Sequence, residues 1–177
     1  MVSKGCGASV REHVVGYRIA VEGKGLCFSA AHFAALPVGY EPLHGHNYAV
    51  GVEVEGALEA TGWVLDFAVV RDAAATICEE LDHRFILPGG SRKLRVDWMG
   101  EEVAISWDGR RYVMPRQDVV VRPIDNSTAE RLAEWFVGRL EEALLRVGAA
   151  NLTRIAVRVE EAPGQAAWYA RDVESAP

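Results

Sequence analysis

The sequence predicts an α+β fold: an antiparallel four-stranded sheet with two helices on one face, and a β-rich insertion between the helices. Three observations carry this. Strand-like alternation gathers at both ends of the chain, two segments of helical period lie between, and a polar, strand-rich stretch over 88–123 separates those two segments. Strands grouped at the ends, with helices between, favour one antiparallel sheet over alternating parallel units.

Taken in order, residues 1–12 read as a loose leader, and apolar, β-branched residues from His13 to Val21 predict a strand with Tyr17, Ile19 and Val21 on one parity. Gly23-Lys24-Gly25 interrupts it. Beyond the glycines the apolar parity passes to Leu26, Phe28, Ala30 and His32, as a glycine bulge that shifts the face would produce. A loop with Pro37, Gly39 and Pro42 follows. The second strand places His44, His46, Tyr48, Val50, Val52 and Val54 on one face, with Asn47, Glu53 and Glu55 on the other.

Asp66 reads as the N-cap of a helix carrying Phe67, Val70, Ala74, Ile77, Cys78 and Leu81, expected to end in Leu81-Asp82-His83-Arg84-Phe85. Ser127-Thr128-Ala129-Glu130 has the pattern of a capping box and opens a second helix that runs to Gly148. Ile155, Val157 and Val159 alternate with Arg158 and Glu160 in a third strand, and Trp168-Tyr169-Ala170 follows Pro163-Gly164 as a fourth. Within 88–123, runs at 94–98, 103–107 and 111–114 read as short strands, with an Asp108-Gly109 hairpin signal between the last two. Trp98 and Trp107 are expected in the insertion's core, and Arg110-Arg111 on a solvated hairpin. The insertion is too short and too polar to hold a core alone. A single domain over 1–177 is the expectation.

A net charge of −6 makes no electrostatic case for nucleic acid or an anionic membrane, and no apolar stretch approaches transmembrane length. The three cysteines (Cys6, Cys27, Cys78) show no CxxC spacing, which argues against a disulfide framework and a thiolate metal cage. Met1-Val2-Ser3-Lys4-Gly5 lacks the apolar run of a signal peptide, so a reducing cytoplasm is the expected setting.

The chemistry gathers around histidine. Three of the five histidines fall within fifteen residues, and His44 and His46, two apart on a strand, put both imidazoles on one face. His32 can join them from a neighbouring strand. Three neutral imidazoles without a fourth protein ligand nearby describe a zinc site with one open position; the alternative is three half-buried, hydrogen-bonded histidines. Glu161 shares the parity of Ile155, Val157 and Val159. It is either a buried carboxylate that accepts N–H bonds from a flat, amidine-like heterocycle, or a solvated residue beyond the strand's end. Asp82-His83 is either a proton-transferring pair or a histidine set favourably against a helix C-terminus. Glu41, three residues before His44, is a loop acid beside the metal site. Ser127 and Thr128 are explained as a helix cap unless a ligand lies near them.

Together, Phe28-Ser29-Ala30-Ala31-His32, Leu43-His44-Gly45-His46-Asn47-Tyr48, Gly62-Trp63-Val64-Leu65-Asp66-Phe67, Leu81-Asp82-His83, Asn126-Ser127-Thr128-Ala129-Glu130 and Val159-Glu160-Glu161 resemble the 6-pyruvoyl-tetrahydropterin synthase family. The blocks stand in the family's order and cover nearly the whole chain outside the leader and the insertion. The resemblance implies a tunnelling fold, trimeric barrels commonly stacked as a hexamer, and active sites at subunit interfaces. It implies zinc on His32, His44 and His46, a pterin held by Glu161 with help from Ser127 and Thr128, and proton transfer by Asp82 and His83. The implied substrate is 7,8-dihydroneopterin triphosphate.

One departure bears on the reaction. Familiar family members carry a catalytic cysteine shortly before the His-Gly-His, where this chain reads Gly39-Tyr40-Glu41-Pro42-Leu43-His44. Cys27 has the parity opposite to His32 and is no substitute. Glu-x-x-His-Gly-His resembles the branch in which glutamate replaces cysteine and the product is 6-hydroxymethyl-7,8-dihydropterin. There a carboxylate base drives retro-aldol cleavage of the side chain, whereas the thiolate branch abstracts a carbon-bound proton and leads to pyruvoyl or carboxy products. A pterin or purine binder without turnover, and a protein whose zinc is purely structural, are the other readings.

Overall fold

The computed structural model describes residues 16–173; the leader, His13 and Cys6 lie outside them. Strand β1 (Tyr17–Val21) and strand β2 (Cys27–His32) flank the glycine interruption, where Gly23 and Gly25 take φ of 93° and 91°. Only glycine adopts that left-handed backbone without strain. Strand β3 (His44–Gly56) pairs antiparallel with both: Val21 faces Val52, Cys27 faces Ala49, and His32 faces His44. In place of the expected bulge, a turn closed by the Leu26 N–H on the Gly23 carbonyl lets one long strand receive two short ones while their inward face changes parity.

Helix α1 (Phe67–Glu79) starts at Asp66, whose Oδ1 accepts from the Ala68 N–H at 2.8 Å. Helix α2 spans Ala129–Arg146. Strands β9 (Leu152–Ala162) and β10 (Gln165–Asp172) form a hairpin, and β9 pairs antiparallel with β3. Phe28, Tyr48, Val50, Val52, Val54, Ile155, Val157 and Val159 bury one sheet face against Val70, Ala74, Ile77, Leu132, Phe136 and Leu140 of the helices. Each large side chain buried there contributes about 1.5–3 kcal/mol, so this face fixes the register of the strands that carry the histidines.

The sheet is wider than the four antiparallel strands expected. Helix α1 stops at Glu79, and β4 (Arg84–Pro88) then runs parallel to β2, with Ala30 facing Arg84. Arg84 and Phe85 thus belong to a strand and not to a helix end. The run Phe85-Ile86-Leu87 is apolar on both parities because both faces are covered, and so short a run carries no period to distinguish strand from helix.

The insertion supplies β5 (Arg95–Met99), β6 (Glu102–Trp107) and β7 (Arg110–Pro115) as a separate antiparallel sheet. Asp108 and Gly109 turn the last hairpin with φ of 46° and 75°. Strand β8 (Val119–Arg122) then returns to the main sheet, parallel to β4. Trp107 is buried as expected. Trp98 is exposed at the edge strand with the Arg116 guanidinium over its ring, a correction to its placement in the core. A second core joins Val103, Ile105 and Trp107 to Phe33, Tyr40, Phe85 and Leu87 on the face of β2 and β4 away from the helices. Glu80 ties the return strand to the helices, taking both Arg139 and Arg122, whose guanidinium groups lie over Trp135. No helix among the described residues is long and apolar enough to cross a membrane.

Candidate active site

The end of β3 and the end of β2 bring His32, His44 and His46 together, with one ligand atom from each within 4.8 Å of the others. His32 is buried, and its Nδ1 lies 2.8 Å from the Ser127 carbonyl oxygen; His44 Nδ1 lies 2.8 Å from the Pro42 carbonyl oxygen. A carbonyl only accepts, so both Nδ1 atoms carry the proton and both Nε2 atoms present lone pairs. Those two Nε2 atoms sit 3.2 Å apart. Two facing lone pairs repel unless a cation lies between them. Tetrahedral zinc with bonds of about 2.0–2.1 Å would set two nitrogen donors about 3.3 Å apart. Burial lowers the His32 pKa to about 4, so it is held as the neutral, ligating imidazole. The backbone carbonyls that orient His32 and His44 are what a metal-binding histidine requires of its other nitrogen. The donor set therefore fits a divalent metal.

These histidines line a cavity of about 500 Å³ together with Glu41, Thr128, Glu130 and Glu161. The Glu41 carboxylate lies 3.9 Å from His44 Nε2, beside the metal donors and outside bonding distance of that ring. Strand β9 extends to Ala162, and Glu161, opposite a register shift in the ladder to β10, lines the cavity and is not a solvated residue past the strand's end. Its Oε1 is buried with no hydrogen-bond partner among the described residues. Burial raises its pKa; His46 opposes that rise, while Glu130 and Glu41 add to it. A carboxylate left without donors in this way is an acceptor in want of N–H groups.

Thr128 is the N-cap of α2 but makes no side-chain capping bond, so its hydroxyl is available to the cavity it lines. The expected capping box does not form. Ser127 is fully buried, and its hydroxyl donates to the Phe33 carbonyl at 3.0 Å. Its contribution to the site is the carbonyl that orients His32. Sequence alone could not assign that role, because it belongs to the backbone.

Asp82 and His83 are bonded directly, with His83 Nδ1 2.8 Å from Asp82 Oδ2. A left-handed backbone at His83 (φ 55°) permits this contact between neighbours. Asp82 Oδ1 also accepts from the Ser29 N–H at 2.7 Å, and these bonds hold its carboxyl below the usual range. The pair does not line the metal cavity of its own chain. His83 borders a more open groove of about 620 Å³, with Ser29, Ala31, Gly45 and Asn47, on the other face of β2 and β3. Cys27 is exposed and absent from the metal cavity's lining.

Two cavity neighbours escaped the sequence reading of the site. Glu130 looked like half of a capping box. Tyr48 looked like core, and it does stack on Phe28 at 4.5 Å, but its buried hydroxyl has no partner among the described residues, and burial with nearby Glu161 and Glu41 raises its pKa. The inward parity of Tyr48, two residues beyond His46, was the available signal. Gly45 is constrained as well: a Cβ there would meet the Ala30 carbonyl oxygen at 2.8 Å. Gly45→Ala should cost about 1–3 kcal/mol of stability and weaken metal binding about 10-fold by moving both flanking histidines. Urea midpoints and zinc titration check this, and unchanged values would contradict it.

The model of the 6-pyruvoyl tetrahydropterin synthase family matches residues 23–172. A protein of Methanocaldococcus jannaschii with the provisional name 6-carboxy-5,6,7,8-tetrahydropterin synthase is 33% identical over 153 residues, covering 85% of this chain and 93% of that one. The 6-pyruvoyl tetrahydropterin synthase of Plasmodium vivax superposes with a TM-score of 0.84 at 30% identity, over 89% of this chain and 99% of that one. Over a shorter stretch of 57 residues, 32% of this chain and 48% of the relative, the dihydroneopterin monophosphate aldolase of Pyrococcus furiosus is 39% identical. The chain is a member of the 6-pyruvoyl tetrahydropterin synthase family, has that family's tunnelling fold, and has the family's function in pterin biosynthesis.

Proposed function

We propose that the protein is a zinc-dependent lyase that cleaves the side chain of 7,8-dihydroneopterin triphosphate to release 6-hydroxymethyl-7,8-dihydropterin. The observation that carries this is Glu41 in the metal cavity, in the loop where familiar family members carry cysteine. Two relatives support it. The P. furiosus protein is named an aldolase, and the P. vivax enzyme has also been solved with alanine or cysteine in place of a glutamate described as a catalytic residue.

His32, His44 and His46 hold the metal, which when bound supplies Lewis acidity toward the substrate's side-chain oxygens. Glu161 accepts N–H bonds from the amidine edge of the pterin, and the backbone and hydroxyl at Thr128 border the same ring. Glu41 accepts the proton of the side-chain hydroxyl one carbon beyond the pterin-bound carbinol. The bond between those two carbons breaks, and a phosphorylated two-carbon aldehyde leaves. The electron pair stays on the carbon attached to the pterin, which takes a proton and becomes the hydroxymethyl group. His83, oriented by Asp82, delivers that proton. Because the pair faces away from its own cavity, it serves the site of a neighbouring subunit, in trimers stacked as a hexamer. A second reading, a 6-carboxy- or 6-pyruvoyl-tetrahydropterin synthase, draws support from the names of the M. jannaschii and P. vivax relatives.

Sharing a site between subunits has a direct test. Glu41→Gln and His83→Ala chains, each inactive alone, should regain activity when unfolded together and reassembled, because some interfaces then pair an intact Glu41 with an intact His83. Mixed assemblies that stay inactive would contradict the shared site.

A further inference from the structure

The insertion touches the site through two adjacent pairs of residues. His32 lies in the metal cavity and Phe33, next in the chain, in the insertion core; Glu41 lies in the cavity and Tyr40, just before it, in the same core. Successive side chains of an extended backbone point to opposite sides, so fixing one member of each pair aims the other. Tyr40 is the more telling case, because Glu41 lies outside the named strands, on a loop tied to its neighbours by a single isolated bridge.

Tyr40 is buried, with ring centroids 5.4 Å from Phe33 and 5.0 Å from Trp107. Its hydroxyl lies 2.7 Å from Ser91 Oγ. From the same insertion, Lys93 Nζ donates to the Leu36 carbonyl at 3.1 Å. The other side of the loop is clamped by Asn126, whose Oδ1 accepts from the Ala35 N–H at 2.7 Å and whose Nδ2 donates to the Ala35 carbonyl at 3.2 Å. Ala35 and Tyr40 form an isolated antiparallel bridge, and the Glu41 N–H donates to the Ala34 carbonyl at 2.9 Å. The eleven residues between His32 and His44 are thus held as a closed loop with a single inward acid.

We propose that the 88–123 insertion is a positioning module for Glu41, acting through Tyr40, with Phe33, Trp107 and Ser91 as its contact residues. This rests on the reading of Glu41 as the base. Tyr40 never reaches the cavity. It is a positioning residue: its loss should slow the chemical step while leaving metal and pterin recognition, which belong to the histidines and Glu161, in place.

The test compares Tyr40→Ala, Tyr40→Phe and Ser91→Ala in the full-length, zinc-loaded protein with 7,8-dihydroneopterin triphosphate. Misplacement of a reacting group by about 1 Å costs about 100-fold, so Tyr40→Ala should lower kcat about 100-fold. KM, zinc stoichiometry and neopterin affinity should stay within about two-fold, because uniform binding is untouched. Tyr40→Phe restores the ring and should recover most of the rate. Ser91→Ala, which leaves the aromatic nest intact, should fall between the two and stands in if Tyr40→Ala does not fold. In a Glu41→Gln background, Tyr40→Ala should add no further loss, since it acts only through the acid already removed. A rate loss that multiplies in the double variant, or one that appears in KM or zinc content, would overturn the positioning role. An undiminished rate in Glu41→Gln alone would instead overturn the assignment of Glu41.

Discussion

Glu41→Gln is expected to lower kcat by about 10²–10⁴-fold, the usual contribution of a positioned general base. Zinc stoichiometry should be unchanged, because the three histidine donors converge without it and its carboxylate stands 3.9 Å from His44 Nε2. Neopterin affinity should also persist, since the proposed anchor is Glu161 on a different strand. The amide keeps the size and polarity of the side chain and removes only its capacity to take a proton. Steady-state rates with dihydroneopterin triphosphate, alongside metal analysis and a binding titration, separate these effects. A variant with normal turnover would remove the base, and with it the reason to favour carbon–carbon cleavage.

Glu161→Gln should have the next largest effect, on binding. Each hydrogen bond to a charged acceptor is worth about 1.5–3 kcal/mol, so pterin affinity should fall about 10- to 200-fold. The pH dependence follows from the raised pKa of Glu161. The ionised form accepts the pterin N–H groups, so affinity should rise as pH climbs through that raised pKa, above the ordinary carboxylate range. Stability runs the other way. A carboxyl whose folded pKa exceeds its unfolded value favours folding fully below the unfolded pKa, and that contribution is lost as pH rises through the folded pKa. At neutral pH the buried charge therefore opposes folding of the ligand-free protein. Glu161→Gln should raise the urea midpoint while weakening pterin binding, the trade a functional buried charge implies. A variant that loses stability and keeps affinity would show Glu161 to be structural.

What the sequence makes legible follows from what strand periodicity can encode. Spacing two apart put His44 and His46 on one face, because β3 is regular where it pairs with β2, and Glu161 reaches the same cavity although the ladder to β10 shifts register opposite it. The shift of face at Gly23 and Gly25 was legible for the same reason. Features that depend on backbone atoms or on contacts distant in sequence were not. The Ser127 carbonyl that orients His32 carries no side-chain signature, and the left-handed backbone of His83 has no glycine to announce it. Strands β4 and β8 were missed because apolar runs so short carry no period that distinguishes a strand from a helix. Packing of Phe33 and Tyr40 against Trp107 joins segments more than sixty residues apart, and no local pattern records it.

Under the proposed function, glutamate in place of cysteine directs this cavity to cleave a carbon–carbon bond. Incubating the zinc-loaded protein with 7,8-dihydroneopterin triphosphate and identifying the pterin product by chromatography and mass spectrometry tests it most directly. The expected product is 6-hydroxymethyl-7,8-dihydropterin, together with a phosphorylated two-carbon aldehyde in equal amount. A 6-pyruvoyl- or 6-carboxy-tetrahydropterin as the main product would contradict it.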